Sequence, residues 1–273
     1  MAEEIIKIEN LAYAYQTGTH ALAHIDMTVR EGEKIAVMGS NGAGKSTFFL
    51  NLNGVLQPDE GTIAYRGKVI GKKDLNELRK NVGFVFQDAD SQMIASDVQG
   101  EISFGPMNLK LPREEVKKRV DEAIEYMNLN EYRNRPPHYL SGGEKKRVSI
   151  ADIIAMKSEV VLFDEPTAAL DPLSAEMLEE VLAKMSAEGK TLLISTHDVD
   201  FAYRWAERIV VFCGGKIIAD GTPLEIFQNE AVLEQAHLKK PAMFTVYETL
   251  VEKGLVEDGS YPRVPEELKG VLK

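Results

Sequence analysis

Six sets of residues have types and spacing that could do chemistry. The first is Gly39-Ser40-Asn41-Gly42-Ala43-Gly44-Lys45-Ser46, which fits the pattern G-x-x-x-x-G-K-[ST] at every fixed position. It follows the apolar run Lys34–Met38 and precedes Thr47, Phe48, Phe49, Leu50 and Leu52, so the context is a strand that turns into a helix. Glycines let consecutive N–H groups converge on one anion, and the helix that follows aims its positive end at the same point. Lys45 would reach the terminal phosphates of a nucleotide, and the Ser46 hydroxyl would ligate a bridging magnesium ion. Taken alone, the pattern also fits an ordinary Gly-rich turn; the strand before it and the helix after it favour the phosphate loop.

The other sets lie at the ends of apolar runs. Asp164 and Glu165 close Val160-Val-Leu-Phe, four apolar residues that fit a parallel strand buried on both faces. Beside a phosphate loop, Asp164 would hold the magnesium shell and Glu165 would orient or deprotonate the attacking water; the alternative is two acids capping the next helix. Gln87 ends the run Val82–Phe86 and His197 follows Thr191–Ser195. Both would sit at the carboxyl edge of an open α/β sheet, where such sheets bind ligands. Gln87 is either a solvated loop residue or a ligand of magnesium and water, and His197 is either a helix-start residue or a phosphate-facing group. Ser141-Gly142-Gly143 opens a helix, as a cap or as a second anion site. Tyr13 and Tyr15 fall on one face of a strand, as sheet aromatics or with one of them stacking on adenine.

These residues need a scaffold. Residues 5 to 37 alternate apolar runs with turn signals and read as an antiparallel layer feeding the central strand. Thr62–Tyr65 with Val69-Ile70 reads as a further hairpin, and Asp74–Lys80 as a short helix. From residue 88 the sheet pattern stops. Asp88–Glu101 reads as a polar loop, Phe104-Gly-Pro106 follows, and Pro112 opens a helix whose Val116, Val120, Ala123, Ile124 and Met127 share one face. The helix Glu144–Met156 follows. Residues 88–157 are therefore expected to be a helical insertion in an α/β core. Ala169-Leu-Asp171-Pro172 leads into a helix to Lys184, and Ile209–Phe212 with Lys216–Ala219 reads as a hairpin turning at Gly214-Gly215. Residues 226–273 read as a small accessory segment of short amphipathic helices.

Composition excludes several functions. Among 273 residues, 43 Asp and Glu outweigh 32 Lys and Arg, for a formal charge of -11. That leaves no general electrostatic footprint for nucleic acid or anionic lipid. No run approaches 18 apolar residues, so any membrane role comes through partners. Met1-Ala-Glu-Glu lacks the basic region and apolar core of a secretory signal. The single cysteine, Cys213, cannot form an internal disulfide and reads as a buried strand thiol in a reducing compartment. The five histidines show no metal-ligand spacing.

The set and order of these pieces, over residues 3 to 225, resemble the ATPase subunit of an ABC transporter. That resemblance implies an α/β fold: a P-loop NTPase core with an antiparallel β subdomain, an inserted α-helical subdomain and a small C-terminal helical extension. It makes Tyr15 the adenine-stacking aromatic, Gly39–Ser46 the Walker A loop, Gln87 the Q-loop residue, Leu140–Glu144 the family signature, Val160–Asp164 Walker B, Glu165 the catalytic glutamate, Asp171 the D-loop acid and His197 the switch histidine. ATP and Mg2+ are the implied cofactors. ATP would be held by Tyr15, residues 39–47, Ser141, Gly142, Gly143 and Asp171, and the metal by Ser46, Gln87 and Asp164. The signature is usually Leu-Ser-Gly-Gly-Gln, and here Glu144 takes the fifth place.

The family implies a second ATPase subunit paired head to tail, integral-membrane transmembrane and substrate-binding partners, and a peripheral position on the cytoplasmic face of the membrane. Phe49–Pro58, Gln87–Gln92 and Phe104–Glu115 are similar to energy-coupling-factor importers, cobalt-type ATPases above all; nickel and vitamin importers are the alternatives. An exporter ATPase shares the core motifs and departs in the Gln87–Arg113 region. A repair or chromosome ATPase of the superfamily would place a long coiled coil between the loop and the signature, where only about a hundred residues intervene. A translation factor would usually carry two cassettes. Neither pattern is present, and no nucleic-acid partner is implied.

Overall fold

The computed structural model describes residues 2–16, 18–168, 170–257 and 259–271. Two long strands, β1 (Glu4–Ala14) and β2 (His20–Arg30), form a hairpin, and the short buried strand β3 (Lys34–Met38) runs through the glycine loop into helix α1 (Lys45–Leu52). A second hairpin, β4 (Glu60–Tyr65) and β5 (Lys68–Val69), and helix α2 (Leu75–Asn81) lead to β6 (Val82–Val85). Helices α3 (Val98–Asn108), α4 (Arg113–Tyr126) and α5 (Gly142–Met156) then follow with no strand between them. The chain returns through β7 (Val160–Asp164), α6 (Pro172–Ala187), β8 (Thr191–Thr196), α7 (Val199–Trp205), β9 (Arg208–Cys213) and β10 (Lys216–Gly221). It ends in α8 (Pro223–Gln228), α9 (Glu230–Ala236), α10 (Ala242–Glu252) and α11 (Pro265–Val271).

The strands form two sheets. One is antiparallel, in the order β2-β1-β4-β5, and the other runs β10-β9-β3-β8-β7-β6. In the second sheet β9, β3, β8, β7 and β6 are parallel, and β10 closes one edge antiparallel to β9. Central strands covered on both faces need apolar residues at every covered position, as Ile35-Ala-Val-Met38 and Val160-Val-Leu-Phe show. Alternation then divides the core. Ile35 and Val37 join the cluster under the antiparallel sheet and α1, whereas Ala36 and Met38 join the cluster under the helices on the other face. The register sets Met38 beside Thr196, Asp164 beside Ser195 and Val85 beside Phe163, so the carboxyl ends of four strands meet along one edge.

Four features differ from the sequence reading. The apolar run Ile5–Ile8 and residues 12–14 of the run Ala12–Tyr15 lie on one strand of 11 residues with a bulge in it. Asn10 takes φ 52° there, and its amide donates to Asp26 Oδ1, so the break in the apolar pattern is an extra residue and not a turn. The last four residues of the expected polar loop, 98–101, and Phe104-Gly-Pro106 after them belong to helix α3. Gly100, Gly105 and Pro106 mask its periodicity, yet Asp97 caps it by accepting from the Gly100 amide, and Val98, Ile102, Gly105 and Pro106 are buried. Gly105 allows α3 to lie against α5: a Cβ there would stand 2.7 Å from Met156 Cγ. Cys213 ends its strand only partly covered, with its thiol donating to the Gln235 carbonyl.

The fourth concerns the C-terminal segment. Residue 225, its expected boundary, lies inside α8. Phe244 and Tyr247 are fully buried, and the Phe244 ring packs against Tyr203 of α7 and Phe227 of α8. Arg263 donates to the Ala206 carbonyl, so the last helices seal the end of the sheet beside β9. Ala169, in the expected approach to α6, lies outside the described residues. Among the described residues no helix is long and apolar enough to cross a membrane.

Candidate active site

The glycine loop packs closely against the strands around it. Gly39 has φ 144°, and a Cβ there would stand 2.2 Å from the Phe212 carbonyl oxygen; at Gly44, φ 106°, it would stand 2.7 Å from the Ala21 carbonyl. Only glycine fits either place. The turn delivers the chain into α1 at Lys45, where the free amides of the first helical turn face an open cavity. That cavity is lined by Asn41 through Thr47, by Tyr15, Thr19, His20 and Ala21 at the β1–β2 turn, and by Gln87, Glu165 and His197. Three segments far apart in sequence thus converge on the phosphate loop, each from the end of a parallel strand.

Lys45 is buried, and its ammonium donates to the Gly39 and Ser40 carbonyls at 2.8 and 3.3 Å. It also pairs with Glu165 Oε1 at 3.6 Å, an ion pair too long to be a hydrogen bond. Glu165 is fixed from two sides. Its amide donates to Ser195 O and Ser195 Oγ at 3.1 and 3.0 Å, and Oε2 lies 2.9 Å from His197 Nδ1. These contacts hold a residue with φ 44°, an uncommon backbone for a side chain of this size, just past the carboxyl end of β7. Glu165 Oε1 is buried with no hydrogen-bond partner among the described residues, and it borders the cavity. A desolvated acceptor there suits the hydrogen of a water. His197 is largely exposed, as a group that meets an incoming ligand must be.

Asp164 is buried one residue behind the cavity wall, where Ser195 Oγ donates to its Oδ1. Ser46 and Gln87 border the cavity. No group of three His, Cys, Asp or Glu among the described residues could hold a metal by itself. Hydroxyl, amide and carboxylate oxygens from α1, the end of β6 and β7 fit a hard cation that completes its shell with phosphate and water.

Tyr15 lies just past the end of β1, so it does not share a strand face with Tyr13. The two rings meet edge to face at 5.2 Å, Tyr15 lines the cavity, and its hydroxyl is 2.9 Å from Thr47 Oγ1. The structure thus separates the two tyrosines, with Tyr13 packed on the core under the antiparallel sheet.

Ser141, Gly142, Gly143 and Asp171 are not in this cavity. Ser141 caps α5 by accepting from the Glu144 amide, and Glu144 Oε2 accepts from the Ser141 amide at 2.7 Å. Burial pushes the Glu144 carboxyl up, but the Ser141 amide and hydroxyl and the Tyr132 hydroxyl hold it below the usual carboxylate range. Its charge is occupied in this capping box, which explains how a carboxylate stands in the fifth place. Asp171 caps α6 through the Ser174 amide and hydroxyl, which keep its carboxyl low. A Cβ on Gly143 would be 2.4 Å from Ser174 Oγ, so the starts of α5 and α6 abut. They form a second polar cluster, exposed at Ser141, Gly142 and Asp171.

Five residues were missed in the sequence. Thr19, His20 and Ala21 carry no signal beyond closeness to Tyr15. Ser195, inside a buried strand, positions both Asp164 and Glu165. Lys146 was legible: with Ile150 and Ile153 it falls on the apolar stripe of α5 at spacings of four and seven, where a charge is out of place. Its ammonium donates to Phe86 O and Gln87 O, both at 2.8 Å.

Fold and site together define a nucleotide-binding cassette of the P-loop type. The family described as "ABC transporter" matches residues 22–168. The chain is 47% identical over 239 residues to the energy-coupling factor transporter ATP-binding protein EcfA of Methanothermobacter thermautotrophicus, covering 87% of this chain and 77% of that one. It is 44% identical over 263 residues to the EcfA2 protein of Methanospirillum hungatei, covering 96% of this chain, and spans 66% of that relative's length. Among solved structures, cbiO1 of Clostridium perfringens, described as part of the ABC transporter complex cbiONQ, superimposes with a TM-score of 0.76 at 40% identity, covering 90% of this chain and 99% of that one. The chain belongs to the ABC transporter ATPases, within the energy-coupling-factor ATP-binding proteins.

Proposed function

We propose that this chain hydrolyses ATP to energise import of a small substrate, cobalt ion first, through an energy-coupling-factor transporter. Asn41–Thr47 would wrap the phosphates, Tyr15 would stack on adenine, and Lys45 would neutralise the terminal phosphates. Ser46, Gln87 and Asp164 would hold Mg2+, which supplies charge neutralisation between the β- and γ-phosphates. Glu165 would take the proton of the attacking water, with His197 fixing the carboxylate from Oε2. The observation that carries this reading is Glu165 Oε1: buried, unsatisfied, and within 3.6 Å of the loop lysine.

The cluster of Ser141, Gly142, Gly143 and Asp171 lies outside the chain's own cavity, which supports a head-to-tail pair in which it closes the cavity of a second ATPase subunit. Motion would pass through residues 88–157, as a helical subdomain, to an integral-membrane partner, with the ATPase on the cytoplasmic face. Residues 226–273 would serve as a docking element. Cobalt is supported by the segments Phe49–Pro58, Gln87–Gln92 and Phe104–Glu115, which are similar to cobalt-type ATPases. Tagged chain purified from detergent-solubilised native membranes should bring down small integral-membrane proteins that retain cobalt. Interchangeable vitamin-binding partners would overturn the cobalt reading, and the absence of any membrane partner would overturn the importer reading.

A further inference from the structure

Lys146 has no role in the site as described, yet it is a buried charge beside it. It is 4% exposed, on a helix face otherwise apolar. The ammonium is thereby taken out of water, and no salt bridge to it is found among the described residues. A buried ammonium without an ion pair is tolerated only where its N–H groups are well used. Here two of them reach Phe86 O and Gln87 O at 2.8 Å. Those carbonyls lie just beyond the last paired residue of β6, Val85, where the strand ladder ends. The clamp therefore grips the backbone of the residue whose side chain borders the phosphate cavity.

The other end of the link is equally specific. Lys146 stands five residues after Ser141, in the second turn of α5, and α5 starts at the Ser141–Gly143 cluster, which does not line the chain's own cavity. One side chain thus joins the helix that presents this cluster to the hinge that carries Gln87. We propose that Lys146 is a positioning residue: it holds the Phe86–Gln87 backbone so that Gln87 stays aimed into the phosphate cavity, and it makes the Gln87 hinge and the start of α5 move together. This rests on the reading that Gln87 acts in that cavity.

Steady-state ATP hydrolysis by the full-length chain tests it, with Lys146→Met, Lys146→Gln, Gln87→Ala and the double variant Gln87→Ala/Lys146→Met compared at saturating Mg-ATP. Methionine keeps the stem and removes both donors, whereas glutamine retains an amide donor. The phosphate loop is untouched, so KM for ATP should change by less than about twofold, while kcat falls about tenfold in Lys146→Met, as displacement of a positioned group by a fraction of an ångström does. Lys146→Gln should recover part of that loss, and the thermal midpoint of Lys146→Met should not fall, because a buried charge is replaced by an apolar chain. The double variant should lose no more than Gln87→Ala alone.

Unchanged kcat in Gln87→Ala would remove the Gln87 role on which the inference rests. A loss in Gln87→Ala with unchanged kcat in Lys146→Met would overturn the inference at Lys146 itself. Losses that multiply in the double variant, or a kcat loss that tracks a lowered thermal midpoint, would show that Lys146 serves only the fold.

Discussion

Replacing Glu165 with glutamine separates the chemistry of the cavity from its binding. The amide has the shape of the carboxylate and can keep the contact to His197 Nδ1 and the amide bonds to Ser195, so the strand end should hold its geometry. What disappears is a proton acceptor and a negative charge. Loss of a positioned general base costs on the order of 10²–10⁴ in kcat, or about 3–5 kcal/mol of barrier. Binding should move the other way. At 3.6 Å the Lys45–Glu165 attraction amounts to about 5 kcal/mol at an effective dielectric of 20. Incoming phosphates must compete with it and are repelled by the same carboxylate. Neutral glutamine removes both effects, so ATP should bind Glu165→Gln at least as tightly as the unaltered chain. Phosphate release at saturating Mg-ATP, together with a fluorescent-nucleotide titration, measures the two separately. Undiminished hydrolysis, or an ATP affinity that collapses along with it, would refute the assignment of Glu165 as base and of Lys45 as its electrostatic partner.

Asp152 gives a pH signature away from the phosphates. Burial raises its carboxyl from 3.8 to about 7, with repulsion from Glu101 adding to it and the Gly105 amide opposing. The folded state therefore binds a proton that the unfolded chain releases, and its contribution is present below pH 4 and is lost as pH rises to 7. At about 1.4 kcal/mol per pH unit this amounts to at most about 4 kcal/mol, so Asp152→Asn should raise the denaturation midpoint at pH 8 and leave it nearly unchanged at pH 4; no gain at pH 8 would contradict the burial argument. Phe244→Ala should cost about 3–5 kcal/mol in denaturant unfolding, since the ring is fully buried between Tyr203 and Phe227. A loss under about 1 kcal/mol would mean that α10 is not packed on the core in solution.

Most of the site could be read from the sequence because each part has a local signature tied to a strand end. The pattern from Gly39 to Ser46, the acids after Val160–Phe163, and Gln87 and His197 after apolar runs are all set by the rule that parallel sheets gather ligands at their carboxyl edge. Parts of the fold were hidden where tertiary contact outweighs local pattern. Helix α3 carries Gly100, Gly105 and Pro106 and is held by the close approach of Gly105 to Met156, which no periodicity reveals. The bulge at Asn10 breaks the alternation of β1, so its two apolar runs read as separate. Ser195 was silent for the opposite reason: a small polar residue within an apolar strand looks neutral until the register sets it beside Asp164. The position of Ser141–Gly143 relative to the cavity is a three-dimensional fact with no counterpart in spacing.

In a head-to-tail pair of two copies of this chain, each cavity would be completed by the Ser141–Gly143 of the other copy. Light scattering of the Glu165→Gln chain with and without Mg-ATP tests it most directly. The mass should double from that of the 30.3 kDa chain when nucleotide is added, and Ser141→Arg, which leaves the chain's own cavity intact, should abolish the doubling while ATP still binds. A mass that stays at one chain with nucleotide bound, or a dimer indifferent to Ser141→Arg, would contradict it.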